Sequence, residues 1–72
     1  MDISKYLEIS VTKRFGKPVI KGTRIAVYDI LNWLANGMPN EEILHDFPEL
    51  KKEYIQAALL FAASRDSHLG IA

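Results

Sequence analysis

GKPVIKGTRI, residues 16–25, lies between a β-type residue pattern and a helical one. Glycines stand at its first and seventh positions, and a basic side chain occurs at every third or fourth place. Pro18 has no backbone N–H, so Pro18-Val19-Ile20 can form only a short extended piece that lies at a sheet edge or begins a strand. Lys21-Gly22 then turns the chain. We expect this stretch to carry the chain from a small sheet into the first helix.

A run of alternating residues precedes this stretch. Over residues 9–14, β-branched Ile9 and Val11 alternate with polar Ser10 and Thr12, which predicts a strand. Two short strands do not form a stable sheet alone. The sequence therefore predicts that a second copy or a helical layer covers them.

Three helices are predicted after residue 25. Apolar residues spaced i, i+3, i+4 and i+7 predict a first helix from about Val27 to Asn36, with Gly37 as its left-handed end. The second helix is short, begins near two acidic residues and ends before Pro48. The third runs from about Lys51 to Ser64. Because a tight turn joins the second and third, the pattern favours a mainly α helix-turn-helix bundle with a short N-terminal β arm.

The chain has 72 residues and no cysteine, so it forms one domain without disulfides. We divide it into a basic β arm (residues 1–24), a three-helix core (25–64) and a flexible tail (65–72). A domain this small needs additional stabilisation, which we expect from dimerisation or a partner protein. No apolar run is long enough to span a bilayer, and no signal peptide is recognisable, so we predict a cytoplasmic protein.

The net charge of zero hides an asymmetry. Residues 1–24 contain six basic and two acidic side chains, for a net charge of +4, and residues 25–72 contain three basic and seven acidic ones, for −4. A basic front half is typical of an anionic partner, above all a nucleic acid. The same charges could equally serve only to solvate a small polar segment, and the sequence leaves both interpretations open.

Catalytic and metal-binding patterns are not recognisable. The two histidines, His45 and His68, are 23 residues apart, and no HExxH motif, cysteine pair or carboxylate cluster occurs. Adjacent His45 and Asp46 are expected to diverge on their helix, with His45 at the surface. No serine or threonine has a setting typical of a nucleophile. We therefore predict a protein that is not an enzyme and has no metal site or cofactor.

The third helix carries more apolar surface than the other two helices can cover. Two offset apolar stripes, one of which includes Leu59, and a further leucine leave few polar positions. A helix that is apolar on nearly all sides is buried on more than one side. One side is expected to face the other helices, and the other side a second polypeptide chain. The residues predicted at this interface are Tyr54, Ala57, Leu60, Phe61 and Arg65.

GKPVIKGTRI, a helix ending in NG, NEEILHDFPEL and the terminal helix YIQAALLFA together resemble the Domain of Unknown Function 433 family over about residues 9–63. The resemblance implies a homeodomain-like helical fold with a small β arm. It also implies an antitoxin encoded beside a PIN-like ribonuclease toxin. The family commonly has proline in place of Ala26, and serine followed by proline in place of Pro39-Asn40. Both departures affect helix entry and leave the function open.

The antitoxin hypothesis gives Arg65 one of two roles. Its guanidinium could pair with carboxylates in the acidic, metal-dependent active site of the toxin. It could instead stabilise the C-terminal end of its own helix. Thr23 is expected to cap or turn the chain into the first helix, and Trp33 to be buried in the core or an interface.

Operator binding would depend on the arm more than on the third helix, because basic side chains at the start of that helix are few. In a dimer the two arms would both contact phosphates. Arg24 could instead be tied to groups of the neighbouring helix. The predicted nucleic-acid-binding residues are Lys13, Arg14, Lys17, Lys21, Arg24, Lys51, Lys52 and Gln56.

Two hypotheses about function follow, and both depend on binding. In the first, the chain is a dimeric antitoxin of a type II toxin–antitoxin pair that neutralises a PIN-like ribonuclease, with its own operator DNA as a further ligand. In the second, it is a protein-interaction or assembly module that does not bind DNA. Salt-sensitive DNA binding through the arm would distinguish them.

Overall fold

The computed structural model describes residues 1–9 and 16–68, with side chains for residues 1–8 and 16–64. A 3₁₀ helix (Ile3–Lys5) is followed by strands β1 (Leu7–Ile9) and β2 (Pro18–Ile20). Three helices complete the described chain: α1 (Val27–Ala35), α2 (Asn40–Asp46) and α3 (Lys52–His68). The domain is therefore mainly α-helical, with one small sheet.

The two strands are antiparallel, and Leu7 pairs with Ile20, Glu8 with Val19 and Ile9 with Pro18. Strand β2 begins at Pro18, as predicted, because a residue without an N–H is tolerated at a strand's first position. Strand β1 begins two residues before the predicted start at Ile9, and residues 10–14 of that prediction lie outside the described chain.

Helix α1 agrees with its predicted span to within one residue. At its start the Ala26 amide donates a hydrogen bond to the Asp29 carboxylate, with Ala26 N 3.0 Å from Asp29 Oδ2. Ala26 has no side-chain acceptor of its own, so Asp29 satisfies one backbone donor that the helix cannot. At the other end Gly37 has a φ of 88°, a conformation that residues with a Cβ rarely adopt.

Helix α2 ends at Asp46, before Pro48, as the sequence predicts. Helix α3 runs to His68 rather than to the predicted end at Ser64. The predicted tail of residues 65–72 was therefore wrong in its first four residues, which continue the helix. The reason is that Arg65-Asp66-Ser67-His68 contains no glycine or proline to end a helix.

The core lies between the sheet and all three helices. Residues Val19 and Ile20 of β2 are fully buried, and Ile20 packs within the same cluster as the helical residues. Strand β2 of the arm is therefore part of the core. The sequence predicted that a second copy or a helical layer covers the strands, and the structure contains the helical layer. The buried cluster consists of Ile20, Val27, Ile30, Ile43, Leu50, Ile55 and Ala58.

Within the part of the chain that the structure describes, no helix has the length and apolar character needed to cross a bilayer.

Candidate functional site

The outer side of α3 carries exposed apolar residues, although its inner side is well packed. Ile55, Ala57 and Ala58 are fully buried, whereas Leu59 and Leu60 remain 48% and 44% exposed. The two leucines are about 100° apart around the helix axis, so they flank one line along the solvent side. Single exposed leucines are common, but an adjacent pair at the middle of a helix forms a patch.

Two further residues complete this patch. Met1, Gln56, Leu59 and Leu60 line a shallow depression of about 400 Å³. Met1 is itself 59% exposed. We call these four residues the α3 patch; none of the four side chains is charged. Met1 also carries the N-terminal ammonium group, so the apolar side chains of this open depression, rather than an absence of charge, suit it to a protein partner.

Contacts of the N-terminal segment hold Met1 beside α3. The rings of Tyr6 and Tyr54 meet edge to face, with centroids 5.6 Å apart. Lys21 Nζ donates to the Ser4 carbonyl at 3.0 Å, and the Lys21 amide donates to the Tyr6 carbonyl at 2.8 Å. The segment therefore contacts both β2 and α3, which positions it along the helix.

Asp2 starts the 3₁₀ helix and fixes its geometry. Its carboxylate accepts hydrogen bonds from Ser4 Oγ at 2.7 Å and from the Ser4 amide at 3.1 Å. These two bonds, the hydroxyl first, hold the pKa of Asp2 below its ordinary value because they stabilise the charged form. The segment that carries Met1 is therefore capped by an ionised carboxylate at neutral pH.

The residues predicted at the interface fall into different environments. Leu60 is exposed, as the prediction requires. Tyr54 and Phe61 are half-buried, and Phe61 packs edge to face on Tyr28 with centroids 6.3 Å apart. Ala57 was predicted wrongly, since it is fully buried within its own chain and is not available to a partner. Arg65 lies in α3, and its side chain is outside the described side chains.

Sequence reasoning missed Leu59 and Met1. Leu59 was assigned to an apolar stripe together with Ile55 and Ala58, but it lies at the solvent edge of that stripe. The helical repeat alone does not show where the covered arc of a helix ends, so this assignment required the packing of the neighbouring elements. Nothing local to Met1 indicates its position, which depends on the distant contact between Tyr6 and Tyr54.

The predicted nucleic-acid-binding residues are distributed over two elements. On the arm, Lys17, Lys21 and Arg24 are exposed, while Lys13 and Arg14 lie outside the described residues. At the start of α3, the three predicted residues are also exposed: Lys51, Lys52 and Gln56. Because Tyr6 contacts Tyr54, the N-terminal segment and the first turns of α3 are neighbours. Gln56 is shared with the α3 patch.

The histidine prediction requires one correction. His45 is at the surface, as predicted, but its Nδ1 atom lies 3.3 Å from Asp46 Oδ1, so the two side chains do not diverge. Side chains at the exposed end of a short helix can rotate toward each other even when their Cβ atoms point apart. Among the described residues, no three His, Cys, Asp or Glu side chains form a group that could hold a metal ion.

Comparison with known proteins identifies the family. Residues 8–62 match the family described as "Protein of unknown function (DUF433)". This match covers more than half of the chain, including β2, two of the three residues of β1 and most of α3. The chain therefore belongs to the DUF433 family, and the resemblance stated from GKPVIKGTRI and the helical segments is confirmed.

The chain is similar to a curated relative and to a solved structure. The relative, "Uncharacterized protein y4eO" from Sinorhizobium fredii (strain NBRC 101917 / NGR234), is 40% identical over 47 residues. The alignment covers 65% of this chain and 21% of that protein. The solved structure is a DUF433 member protein from Anabaena variabilis ATCC 29413, with a TM-score of 0.79 and 25% identity. Its alignment covers 89% of this chain and 63% of that one.

Proposed function

We propose that this domain is the antitoxin of a type II toxin–antitoxin pair, acting by binding and not by turnover. Its partner would be a PIN-like ribonuclease in the cytoplasm of a bacterial cell. The proposal combines membership of the DUF433 family with the antitoxin role that the resemblance implied. The toxin, rather than the antitoxin, would supply the chemistry.

The exposure of Leu59 and Leu60 is the observation that carries the proposal. The domain already buries a continuous apolar cluster between its sheet and three helices, so these leucines are not needed to complete the core. Each costs free energy while it faces water, at about 25 cal/mol for every Å² of apolar surface. Covering them with another protein recovers that energy, which supports a role in protein binding.

The end of α3 supplies a means of inhibiting a nuclease. Ala63 and Ser64 are exposed, and the helix continues to His68, beyond the contact of Phe61 with Tyr28. On this proposal the end of the helix enters the acidic active site of the ribonuclease. Arg65 would then pair with the carboxylates that otherwise hold the metal ion.

Inhibition of the nuclease tests this function directly. The PIN-like ribonuclease encoded beside this gene would be purified and its RNA cleavage measured with increasing amounts of the 72-residue chain. We expect stoichiometric inhibition, with weaker inhibition by Arg65→Ala than by Arg65→Lys. If Arg65 only stabilises the helix end, both variants should inhibit like the unmodified chain. Undiminished cleavage at excess antitoxin, or the absence of any such neighbour, would contradict the proposal.

Operator binding is a second candidate, supported by the exposure of Lys17, Lys21 and Arg24 on the arm. The connection between α2 and α3 spans residues 47–51, as in a homeodomain-like helix-turn-helix arrangement. Helix α3 is poorly suited to read bases, however, because Leu59 and Leu60 lie beside Gln56 on its solvent side. We therefore propose that DNA contacts are made mainly to phosphates by the arm.

A non-DNA-binding assembly module remains the alternative to both. Such a module would also bind its protein partner through the α3 patch, but its arm would not bind DNA. If the chain binds a protein partner but shows no affinity for its own promoter at low salt, the assembly module is favoured over operator binding.

A further inference from the structure

We propose that the outer edge of strand β1 (Leu7–Ile9) binds an extended segment of another protein, which adds a third strand to the sheet. The segment carries a basic side chain opposite Glu8 and an apolar residue on either side of it. This inference goes beyond the proposed function, because it does not depend on whether the partner is a nuclease. The direction of the backbone groups of β1, the occupied edge of β2 and the charge of Glu8 support it.

The hydrogen-bond pattern of the sheet determines which backbone groups of β1 point outward. The Lys21 amide donates to the Tyr6 carbonyl at 2.8 Å, which in the observed register makes Leu7 a position that is not hydrogen-bonded to β2. Bonded and non-bonded positions alternate along an antiparallel pair. Glu8 therefore exchanges backbone bonds with β2, whereas the amides and carbonyls of Leu7 and Ile9 point away from it.

Only the β1 edge of the described sheet is open to a further strand. Among the described residues the sheet has two strands, so no strand lies on the outer side of β1. The outer side of β2 is occupied by the chain that leads into α1. There Val19 forms a bridge with Ala26, and the Ile20 amide donates to the Ile25 carbonyl at 2.8 Å. An extended peptide that pairs with an open edge is bound through its main chain.

The charge of Glu8 disfavours a second copy of this chain as the added strand. Two copies of β1 can pair antiparallel around a two-fold axis, and the register that uses all four outward groups places Glu8 opposite its own counterpart. The Cβ atoms of such a pair are about 4.5–5.5 Å apart, and like charges there are destabilising. The Gly22 amide donates to the Glu8 carboxylate at 3.4 Å, which holds this charge at the sheet. A segment with lysine or arginine opposite Glu8 replaces the repulsion with attraction.

Leu7 determines which residues suit the positions beside that basic residue. Successive side chains of a strand point to opposite faces of the sheet, so the neighbours of the basic residue lie on the face that carries the Leu7 side chain. Leu7 is half-buried and packs against the buried cluster. Apolar side chains placed next to it remove further apolar surface from water. The expected segment therefore has the order apolar, basic, apolar.

Titration of the chain with short peptides, followed by NMR, tests this site. The probe is the acetylated and amidated peptide Thr-Val-Lys-Val-Thr, and Thr-Val-Glu-Val-Thr is its matched control. We expect the lysine peptide to shift the amide signals of Leu7 and Ile9. It should bind about three to ten times more tightly than the glutamate peptide, because one cross-strand charge pair changes from attraction to repulsion. N-methylation of both valines removes the donors that face β1 and should abolish the shifts.

Charge reversal in the protein locates the segment on β1. Glu8→Lys should reverse the preference, so that the glutamate peptide binds more tightly than the lysine peptide. Glu42→Lys makes the same change at an exposed position on α2 and should retain the preference for lysine. Circular dichroism checks that each variant is folded. If Glu8→Lys does not fold, the N-methylated peptide still tests the backbone bonds with the unmodified chain.

Three results would overturn the proposal. The first is an absence of shifts at Leu7 and Ile9 at high peptide concentration, and the second is equal affinity for the lysine and glutamate peptides. The third is a shift of the same signals when the chain alone is concentrated, which would identify a second copy as the added strand. A chain that binds the lysine peptide at β1 but does not inhibit the nuclease contradicts only the antitoxin role.

Discussion

Trp33 of α1 stacks on Phe47 at the end of α2, with ring centroids 4.3 Å apart and ring planes 10° from parallel. Both side chains are half-buried and pack against the buried cluster. This contact joins α1 to the connection between α2 and α3. The sequence expectation that Trp33 is buried in the core or an interface is met in part, since the indole is half-buried against its own chain.

Phe47→Ala should therefore destabilise the domain. We expect a loss of about 2 kcal/mol in the free energy of unfolding, less than the 3–5 kcal/mol typical of fully buried aromatic residues. Phe47→Leu keeps apolar volume without the ring and should lose less. Urea unfolding followed by circular dichroism measures both, because Trp33 fluorescence itself changes when its neighbour is replaced. Equal unfolding midpoints for Phe47→Ala and the unmodified chain would contradict the role of the stack.

Thr23 determines how the chain turns from β2 into α1. Its Oγ1 donates to the Ile20 carbonyl at 2.9 Å and accepts from the Ile25 amide at 3.0 Å. Thr23→Val preserves shape but removes both bonds. The Ile20 carbonyl still accepts from the Thr23 amide at 3.0 Å, whereas the Ile25 amide loses its Oγ1 acceptor, so we expect a loss of about 1–2 kcal/mol. Thr23→Ser retains the hydroxyl and is the matched control. In thermal unfolding, Thr23→Ser should have a clearly higher unfolding temperature than Thr23→Val. The opposite order would show that the methyl group of Thr23 contributes more to stability than its hydroxyl group.

Much of the fold could be predicted because local chemistry determines it. Gly37, Pro48 and Thr23 act within a few residues, so helix ends and turns followed from the sequence. The start of β1 did not, because Leu7 is in a strand through its pairing with Ile20, thirteen positions away. The C-terminal end of α3 was also missed, since the sequence after Ser64 neither stops a helix nor demands one.

Gly37 offers a test of backbone strain without steric contact. Its φ of 88° is left-handed, and a Cβ placed there would meet no atom within 4 Å. Gly37→Ala should therefore cost about 1–2 kcal/mol through conformational strain alone. Gly37→Asn should cost less, because asparagine tolerates this region better than alanine. Chemical denaturation compares them, and an alanine variant as stable as the asparagine variant would rule out strain as the cause.

The candidate site was predicted only in outline. An excess of apolar residues on α3 was apparent from the sequence, and Leu60, which was predicted at an interface with a partner, is exposed. Ala57 was not, because it lies at the edge of the covered arc and its burial depends on neighbouring elements rather than on helical spacing. A periodicity of 3.6 residues shows which side of a helix faces the core, but the packing of the neighbouring elements determines how wide the covered side is.

Acid should loosen the N-terminal segment before the helices. The pKa of Asp2 is lowered by its hydrogen bonds to Ser4, so the stabilisation is complete above the ordinary carboxyl pKa and is lost as the pH falls through the lowered value. We expect the NMR signals of the Ser4 amide to move in that range while those of α1 stay fixed. Asp2→Asn should abolish this titration. A Ser4 amide that titrates together with the helices would indicate global unfolding instead.

DNA binding by the arm predicts a particular dependence on salt. If Lys13, Arg14 and Lys17 bind phosphates, replacing all three with alanine should weaken promoter binding and reduce the slope of log K against log salt by about 0.9 for each phosphate no longer neutralised. Lys21 is left unchanged because it also holds the Ser4 carbonyl. Lys51→Ala with Lys52→Ala removes charge from exposed positions at the start of α3 and serves as the comparison. Fluorescence anisotropy at about 50 to 300 mM salt measures the slope of log K against log salt for both sets of variants. A larger effect of the α3 substitutions would place the DNA on the helix, and no effect of either set would favour the module that binds only protein.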